Sequence, residues 1–182
     1  MDDRAFSENI NRIRQKDREG LRMIYEDYRS LIYSVVFEIL HNRENSEDVT
    51  SDFFIRLWDI AEIYREGNGH RAWMITIARN MAVDFLRKRT REDLTADIPD
   101  SPKNVTESAE DKVLPGMNLE QALSVLGNDE REIINMKIMG DLTFKEIAAI
   151  LKEPQGTVAW RYRTALQKLK KINRSVSGCD HE

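Results

Sequence analysis

The fold class this sequence predicts is all-α: two small helical domains joined by a flexible acidic linker, the C-terminal one containing a helix-turn-helix. Three observations predict it. Apolar residues recur at helical spacing along most of the chain, and no segment alternates as a strand does. The 182 residues hold only 8 Gly and 4 Pro, and Pro99, Pro102 and Pro115 fall in one acidic, apolar-poor stretch. Finally, residues 142–171 read as two short helices joined by a tight turn, the second with a basic outer face.

The elements follow in order. A first helix starts near Arg18, where Leu21, Ile24, Tyr25, Tyr28, Ile32, Val35, Val36 and Ile39 keep helical spacing, and ends around His41-Asn42. Asn45 or Ser46 caps the next helix, with Glu47 and Asp48 in the first turn, where the helix dipole favours acids. Val49, Phe53, Leu57 and Ile60 form its apolar stripe. Asp48, Ser51, Asp52 and Arg56 lie on or near its outer side, beside Phe54 and Trp58, which are expected to be exposed. Residues 64–70 form a loop in which two glycines permit backbone angles other residues avoid. A third helix is expected at about 71–89, with Met74, Ala78, Met81 and Phe85 inside, Trp73 as core, and Arg79, Asn80, Asp84, Arg87 and Lys88 outside or at the edge.

The stretch from about 92 to 116 reads as a linker. Leu119, Ala122, Leu123 and Leu126 then open a second domain. Asn128 is expected to cap a helix continued by Ile133, Ile134, Lys137 and Ile138, and Gly140 to stop it. Thr143-Phe-Lys-Glu146 has the pattern of a capping box, and Ile147, Ile150 and Leu151 follow it. Pro154 suits the first position of the last helix, where its missing N–H would have had no partner. Val158, Tyr162, Ala165 and Leu169 make a buried stripe there, opposite Trp160, Arg161, Arg163, Thr164, Gln167 and Lys168. A pair of helices like this fits a reader of the DNA major groove; the plain alternative is a generic helical hairpin.

The formal net charge of -4 excludes a uniformly basic nucleic-acid binder, yet a local patch sets the local field. Residues 79–91 hold Arg79, Arg87, Lys88, Arg89 and Arg91 against Asp84 alone. Acids then dominate through Asp97, Asp100, Glu107, Glu110 and Asp111, and basic residues return from Arg161. Cys179 stands alone, so neither an internal disulfide nor a thiolate cluster is expected. The first residues lack the pattern of a signal peptide, and no apolar run is long enough for a membrane span; a cytoplasmic protein is expected. Glu38 and His41 have the Glu-x-x-His spacing of di-iron bundles, but such a site needs a second copy and two further glutamates. No metal site, cofactor or catalytic residue is expected.

Two blocks in one order carry a family resemblance. Residues 46–58 (SEDVTSDFFIRLW) are similar to the second conserved region of bacterial sigma factors, and residues 72–89 (AWMITIARNMAVDFLRKR) to its promoter-melting segment. Residues 119–171, including GDLTFKEIA and the later Gly156-Thr-Val, resemble the last region. With a short linker in place of a middle domain, the chain resembles the extracytoplasmic-function (ECF) class of the sigma-70 family. The chain departs from the family where Ser51 replaces a frequent Gln and Ala159-Trp160 a frequent Lys-Ser.

The resemblance implies a subunit of core RNA polymerase that directs it to promoter DNA. Residues 1–91 would bind the polymerase and melt the minus-10 element, 92–117 would be the linker, 118–174 would read the minus-35 element, and 175–182 would be a tail. The minus-35 candidates are Gln155, Thr157, Trp160, Arg161, Arg163 and Lys168. Arginine pairs two ways with a guanine edge and lysine more often meets phosphate. Thr157 is either a contact or a helix-start residue. Trp160 packs on the polymerase or the preceding helix, or contacts a thymine methyl.

The minus-10 candidates are Tyr64, Asn68 and His70 of the loop with Arg79, Asn80, Asp84, Arg87 and Lys88. The polymerase-binding candidates are Asp48, Ser51, Asp52 and Arg56. An anti-sigma factor is an implied partner, with no direct membrane insertion. The competing function is a stand-alone helix-turn-helix regulator, which leaves the first domain without a role.

Overall fold

The computed structural model of the chain describes residues 1–67, 69–95 and 125–177, with the backbone alone at 92–95 and 172–177. Among them are seven α-helices, one 3-10 turn and no strand, so the chain is all-helical as expected. None of these helices is long and apolar enough to cross a membrane. The chain divides into two compact units between Lys103 and Asn104.

The first unit contains α1 (Asp3–Arg14), α2 (Arg18–Leu40), α3 (Arg43–Ile60), a 3-10 turn (Ala61–Ile63) and α4 (His70–Thr95). Helix α1 was not anticipated from the sequence. Its apolar stripe is short, but Phe6, Ile10 and Ile13 are all fully buried, and the Asp2 carboxylate caps it by accepting the Ala5 N–H at 2.8 Å. It crosses α2 closely at Gly20, where a Cβ would lie 2.5 Å from the Asn9 carbonyl oxygen. Helix α2 buries Ile24, Tyr28, Leu31, Ile32, Val35 and Val36 and ends at His41 in the left-handed region, φ 48°.

Helix α3 starts earlier than expected. Asn42 is its cap, accepting the Asn45 N–H at 2.9 Å, while Ser46 is buried in the first turn with its hydroxyl on the Asn42 carbonyl. The capping side chain therefore sits three to four residues before the expected one. Helix α4 buries Met74, Ile75, Ala78 and Ala82, and its backbone stays helical to Thr95, into the stretch read as linker.

The second unit contains α5 (Asn128–Ile138), α6 (Phe144–Leu151) and α7 (Gln155–Ser177). Its core joins Leu126, Ile133, Met136, Leu142, Ile147, Val158 and Ala165. Gly127, rather than Asn128, caps α5, donating its N–H to Glu130 Oε2 at 2.9 Å. After α5 the left-handed residue is Asp141, φ 53°, rather than Gly140. The capping box of α6 is as expected: Thr143 Oγ1 accepts the Glu146 N–H at 3.2 Å and Glu146 Oε2 accepts the Thr143 N–H at 2.8 Å. Pro154 lies just before α7, where its carbonyl accepts the N–H groups of Thr157 and Val158. Helix α7 runs three residues past the expected boundary at 174. Of the helix expected at 119–126 only Val125 and Leu126 are described, and they form a turn leading into α5; most of the linker, Cys179 and His181 lie outside the described residues.

Candidate nucleic-acid interface

The second unit presents α7 at the edge of a helix-turn-helix. The turn is tight because Lys152 adopts φ 58° and the Glu153 N–H returns to the Ala148 carbonyl at 3.0 Å. Burying Val158 and Ala165 against α5 and α6 turns the rest of α7 outward. Gln155, Arg163 and Gln167 are exposed and Thr157 is half-buried. Trp160 is 61% exposed, so of its possible places the preceding helix is removed.

Two of the six expected contact side chains are already held in ion pairs. Arg161 Nη1 donates to both Glu153 oxygens, at 2.8 and 2.7 Å, and lies 3.6 Å from Asp129. The Glu153 hydrogen bond raises the guanidinium pKa above its ordinary value. Lys168 Nζ donates to Glu130 Oε2 at 2.7 Å. Burial pushes the Glu130 carboxyl up, but the Lys168 ammonium and the Gly127 N–H outweigh it and hold the group below its usual range. Both cations thus tie α7 to its own unit. Arg163 Nε donates to the Ala159 carbonyl at 3.1 Å.

In the first unit the expected site divides sharply by burial. Tyr64 is 3% exposed, with its ring edge-on to Phe6 at 5.2 Å and tilted on Trp73 at 5.0 Å. His70 is 4% exposed, stacked on Phe6 at 4.6 Å, with Nδ1 on the Asp3 carboxylate and Nε2 on the Tyr28 hydroxyl. The two rings expected in the loop pocket are therefore core side chains, because α1 supplies the aromatic face on which they close. Burial pushes the His70 pKa down against the opposing pull of Asp3; its hydrogen bond in turn lowers the Asp3 carboxyl. Asn68 lies outside the described residues. The exposed part of the segment is Arg65, Glu66 and Gly67, the last with φ 86°, which a side chain would strain.

On α4, Asn80, Asp84, Arg87 and Lys88 are all exposed. Their spacing of four, three and one puts them on one side of the helix. Asp84 lies 3.6 Å from Arg87, and Arg79 is half-buried.

On α3, Asp48, Ser51, Asp52 and Arg56 are exposed as expected. Phe54 is not: it is 4% exposed, packed edge-on to Tyr25 and Phe53 at 4.9 and 5.0 Å. Trp58 is half-buried, with Lys16 Nζ 5.5 Å from its ring centre. The apolar residue of this strip is Ile55, 66% exposed. The sequence did carry that signal, since Ile55 is two residues from both Phe53 and Leu57 and so points away from their stripe. Among the described residues no three His, Cys, Asp or Glu side chains cluster as a metal ion would require.

Comparison with known proteins identifies both units. Residues 24–92 match the family model for sigma-70 region 2 and residues 122–171 that for sigma-70 region 4. The chain is 24% identical to the ECF RNA polymerase sigma factor SigW of Bacillus subtilis, over 94% of this chain and 98% of that protein. It is 27% identical to the ECF sigma factor SigK of Mycolicibacterium vanbaalenii, over 89% and 86%. Among solved structures, the fold is similar to the sigma factor RpoE, solved with the anti-sigma factor NepR from Bartonella quintana (TM-score 0.66, 22% identity, 88% of this chain and 98% of that one). It is also similar to CnrH, solved with the cytosolic domain of CnrY (TM-score 0.63, 17% identity, 94% and 98%).

Proposed function

This chain belongs to the sigma-70 family and is an RNA polymerase sigma factor of the ECF class, and from that premise we propose which residues carry each part of its work. It binds core RNA polymerase and directs promoter-specific initiation. The second unit reads the duplex minus-35 element with α7. Gln155, Thr157, Trp160 and Arg163 offer amide, hydroxyl, apolar and guanidinium groups along one approach, the indole facing a thymine methyl. Arg161 and Lys168 join only by exchanging a carboxylate for DNA. The exposed indole of Trp160, opposite the buried Val158 and Ala165, is the observation that carries this reading.

The first unit captures the opened minus-10 strand. Opening costs about 1.4 kcal/mol per base step, and the polymerase shares it. With Tyr64 and His70 buried, capture rests on the exposed 65–67 segment and on Asn80 and Asp84 meeting a base edge. Arg87 and Lys88 hold phosphates, a salt-sensitive and sequence-blind contribution. Asp48, Ser51, Asp52 and Arg56 with Ile55 form the face that docks on the polymerase, where polar complementarity sets approach and register and Ile55 adds apolar area. The protein works as an initiation factor in the cytoplasm, with no catalytic group of its own. An anti-sigma factor is its regulatory partner; structural relatives solved with such partners support this.

The deciding experiment is run-off transcription on genomic promoter fragments, using purified core polymerase with and without the protein. Initiation that depends on the protein, with both promoter elements needed, is the expected result. Failure to bind core, combined with tight binding of the free protein to a specific duplex, would overturn the assignment in favour of a stand-alone regulator.

A further inference from the structure

Helix α1 lies outside the residues that match sigma-70 region 2, which begin at Ile24, yet it holds both ends of the segment that joins α3 to α4. At the front end the Arg14 guanidinium donates to two backbone carbonyls, through Nε to Ala61 at 3.2 Å and through Nη2 to Tyr64 at 2.9 Å. At the rear end Asp3 accepts from His70 Nδ1. Between them Phe6 packs on Tyr64, His70 and Trp73. Of the exposed residues 65–67, Glu66 and Gly67 face α1 across an open groove of about 300 Å³ that also includes Asp3, Ser7 and Asn11. Gly20 permits the close crossing with α2 that brings α1 to this place.

Carbonyls at a helix end are short of partners within it. The Ala61 carbonyl takes the Tyr64 N–H at 3.3 Å, and a single guanidinium, 47 and 50 residues away in sequence, donates both to it and to the Tyr64 carbonyl. Its donors lie in a fixed planar fork, so it sets the position of the two carbonyls relative to each other as well as satisfying them.

We propose that α1 positions the minus-10 capture segment, with Arg14 and Asp3 as positioning residues that set how well it discriminates the captured base. This rests on the reading of residues 65–67 as part of that segment. Neither Arg14 nor Asp3 touches DNA in this scheme.

The test uses holoenzyme reconstituted with full-length protein. Strand opening is followed by a fluorescent base analogue, on promoters carrying each of the four bases at every minus-10 position. Core affinity and thermal unfolding are measured in parallel. Arg14→Ala is expected to slow opening about tenfold, the scale of losing charged hydrogen bonds, and to narrow discrimination at the captured position. Core affinity and upstream-element binding stay unchanged. Arg14→Lys, with one point-like cation in place of the fork, recovers part of the discrimination. Asp3→Ala, at a mostly exposed side chain, gives a smaller change of the same kind.

A control variant, Arg65→Ala with Glu66→Ala, tests the segment itself. If it alters discrimination and the α1 variants do not, the inference about α1 falls and the segment reading stands. If neither alters it, both fall. If Arg14→Ala acts while the segment variant does not, Arg14 works by another route and the inference is overturned. Loss of opening only in proportion to unfolded protein would likewise reduce α1 to a support of the fold.

Discussion

The two units expose their charges in opposite ways. On α4 the cations Arg87 and Lys88 are exposed, and Asp84 lies 3.6 Å from Arg87. On α7 the cations Arg161 and Lys168 are held at 2.7–2.8 Å by Glu153 and Glu130. Arg87 gives up only this long, exposed pair with Asp84 to meet phosphate, whereas Arg161 and Lys168 must each exchange a short ion pair for a new one. Their cores differ as well. The first closes around Phe6, Phe53 and the rings of Tyr28, Tyr64 and His70; among the described residues of the second, no ring is fully buried. A small aliphatic core gains from ion pairs at its rim.

Core truncation gives the largest effect and breaks the comparison most directly. Phe6→Ala removes a fully buried ring, at about 3–5 kcal/mol, and Ile133→Ala a fully buried branched chain, at about 2–5 kcal/mol. Calorimetry should show each substitution lowering the transition of its own unit and leaving the other's in place. A single transition that moves with either substitution would mean the units do not unfold independently.

Helix positions were legible in the sequence where apolar spacing ran long, as in α2 and α7, or where a side chain closed a box, as at Thr143 and Glu146. The outward residues of α3 and α4 were legible for the same reason, since they are what the apolar stripe leaves over. What the sequence hid was partnership at a distance. Helix α1 buries three large apolar residues, Phe6, Ile10 and Ile13, beside the polar Asn9, too short a stripe to stand out, and its burial depends on Gly20 and on rings 58 to 67 positions away. Tyr64 and His70 look available in a Gly-rich loop until α1 covers them. Phe54 misled because it follows the stripe residue Phe53; Tyr25 of α2 reaches it and widens the buried side of α3.

On α3, charge reversal at an exposed face tests docking. Asp52→Arg should weaken binding to core polymerase by about tenfold, since like charges across an interface are costly, while thermal stability stays unchanged. Titration of labelled protein with core measures it. An unchanged affinity would move the docking face away from α3.

The exchange on α7 predicts a smaller effect, and one of opposite sign to most substitutions at a binding surface. Glu153→Gln replaces the closest carboxylate of Arg161 with a neutral partner, leaving Asp129 at 3.6 Å, and removes one negative charge beside DNA. A partly exposed pair of this kind contributes about 0.2–1 kcal/mol, so holoenzyme affinity for the upstream element should rise up to about fivefold. If the freed guanidinium meets phosphate, the slope of log affinity against log salt should steepen by about 0.9. Competition binding at several salt concentrations decides between exchange and orientation: a loss of affinity would show that Glu153 aims Arg161 at the DNA.

The smallest predicted effect concerns pH and belongs to the first unit alone. His70 is surrounded by Asp3 of α1, Tyr28 of α2 and its neighbour Arg71 on α4, and burial dominates, placing its folded pKa below the ordinary imidazole value. The unfolded chain therefore takes up a proton near pH 6.5 that the folded unit resists. By linkage, stability is full above that value and falls as pH drops below it. The Asp3 carboxyl, lowered by His70, withdraws its own contribution only near pH 4 and below, so the two windows separate. Between pH 7.5 and 5.5 the transition of the first unit should drop by roughly a few degrees, and that of the second should not follow through this group. His70→Gln, which keeps a polar side chain without a titrating ring, should flatten the profile in that window. An equal slope in the variant would place the titration on another group.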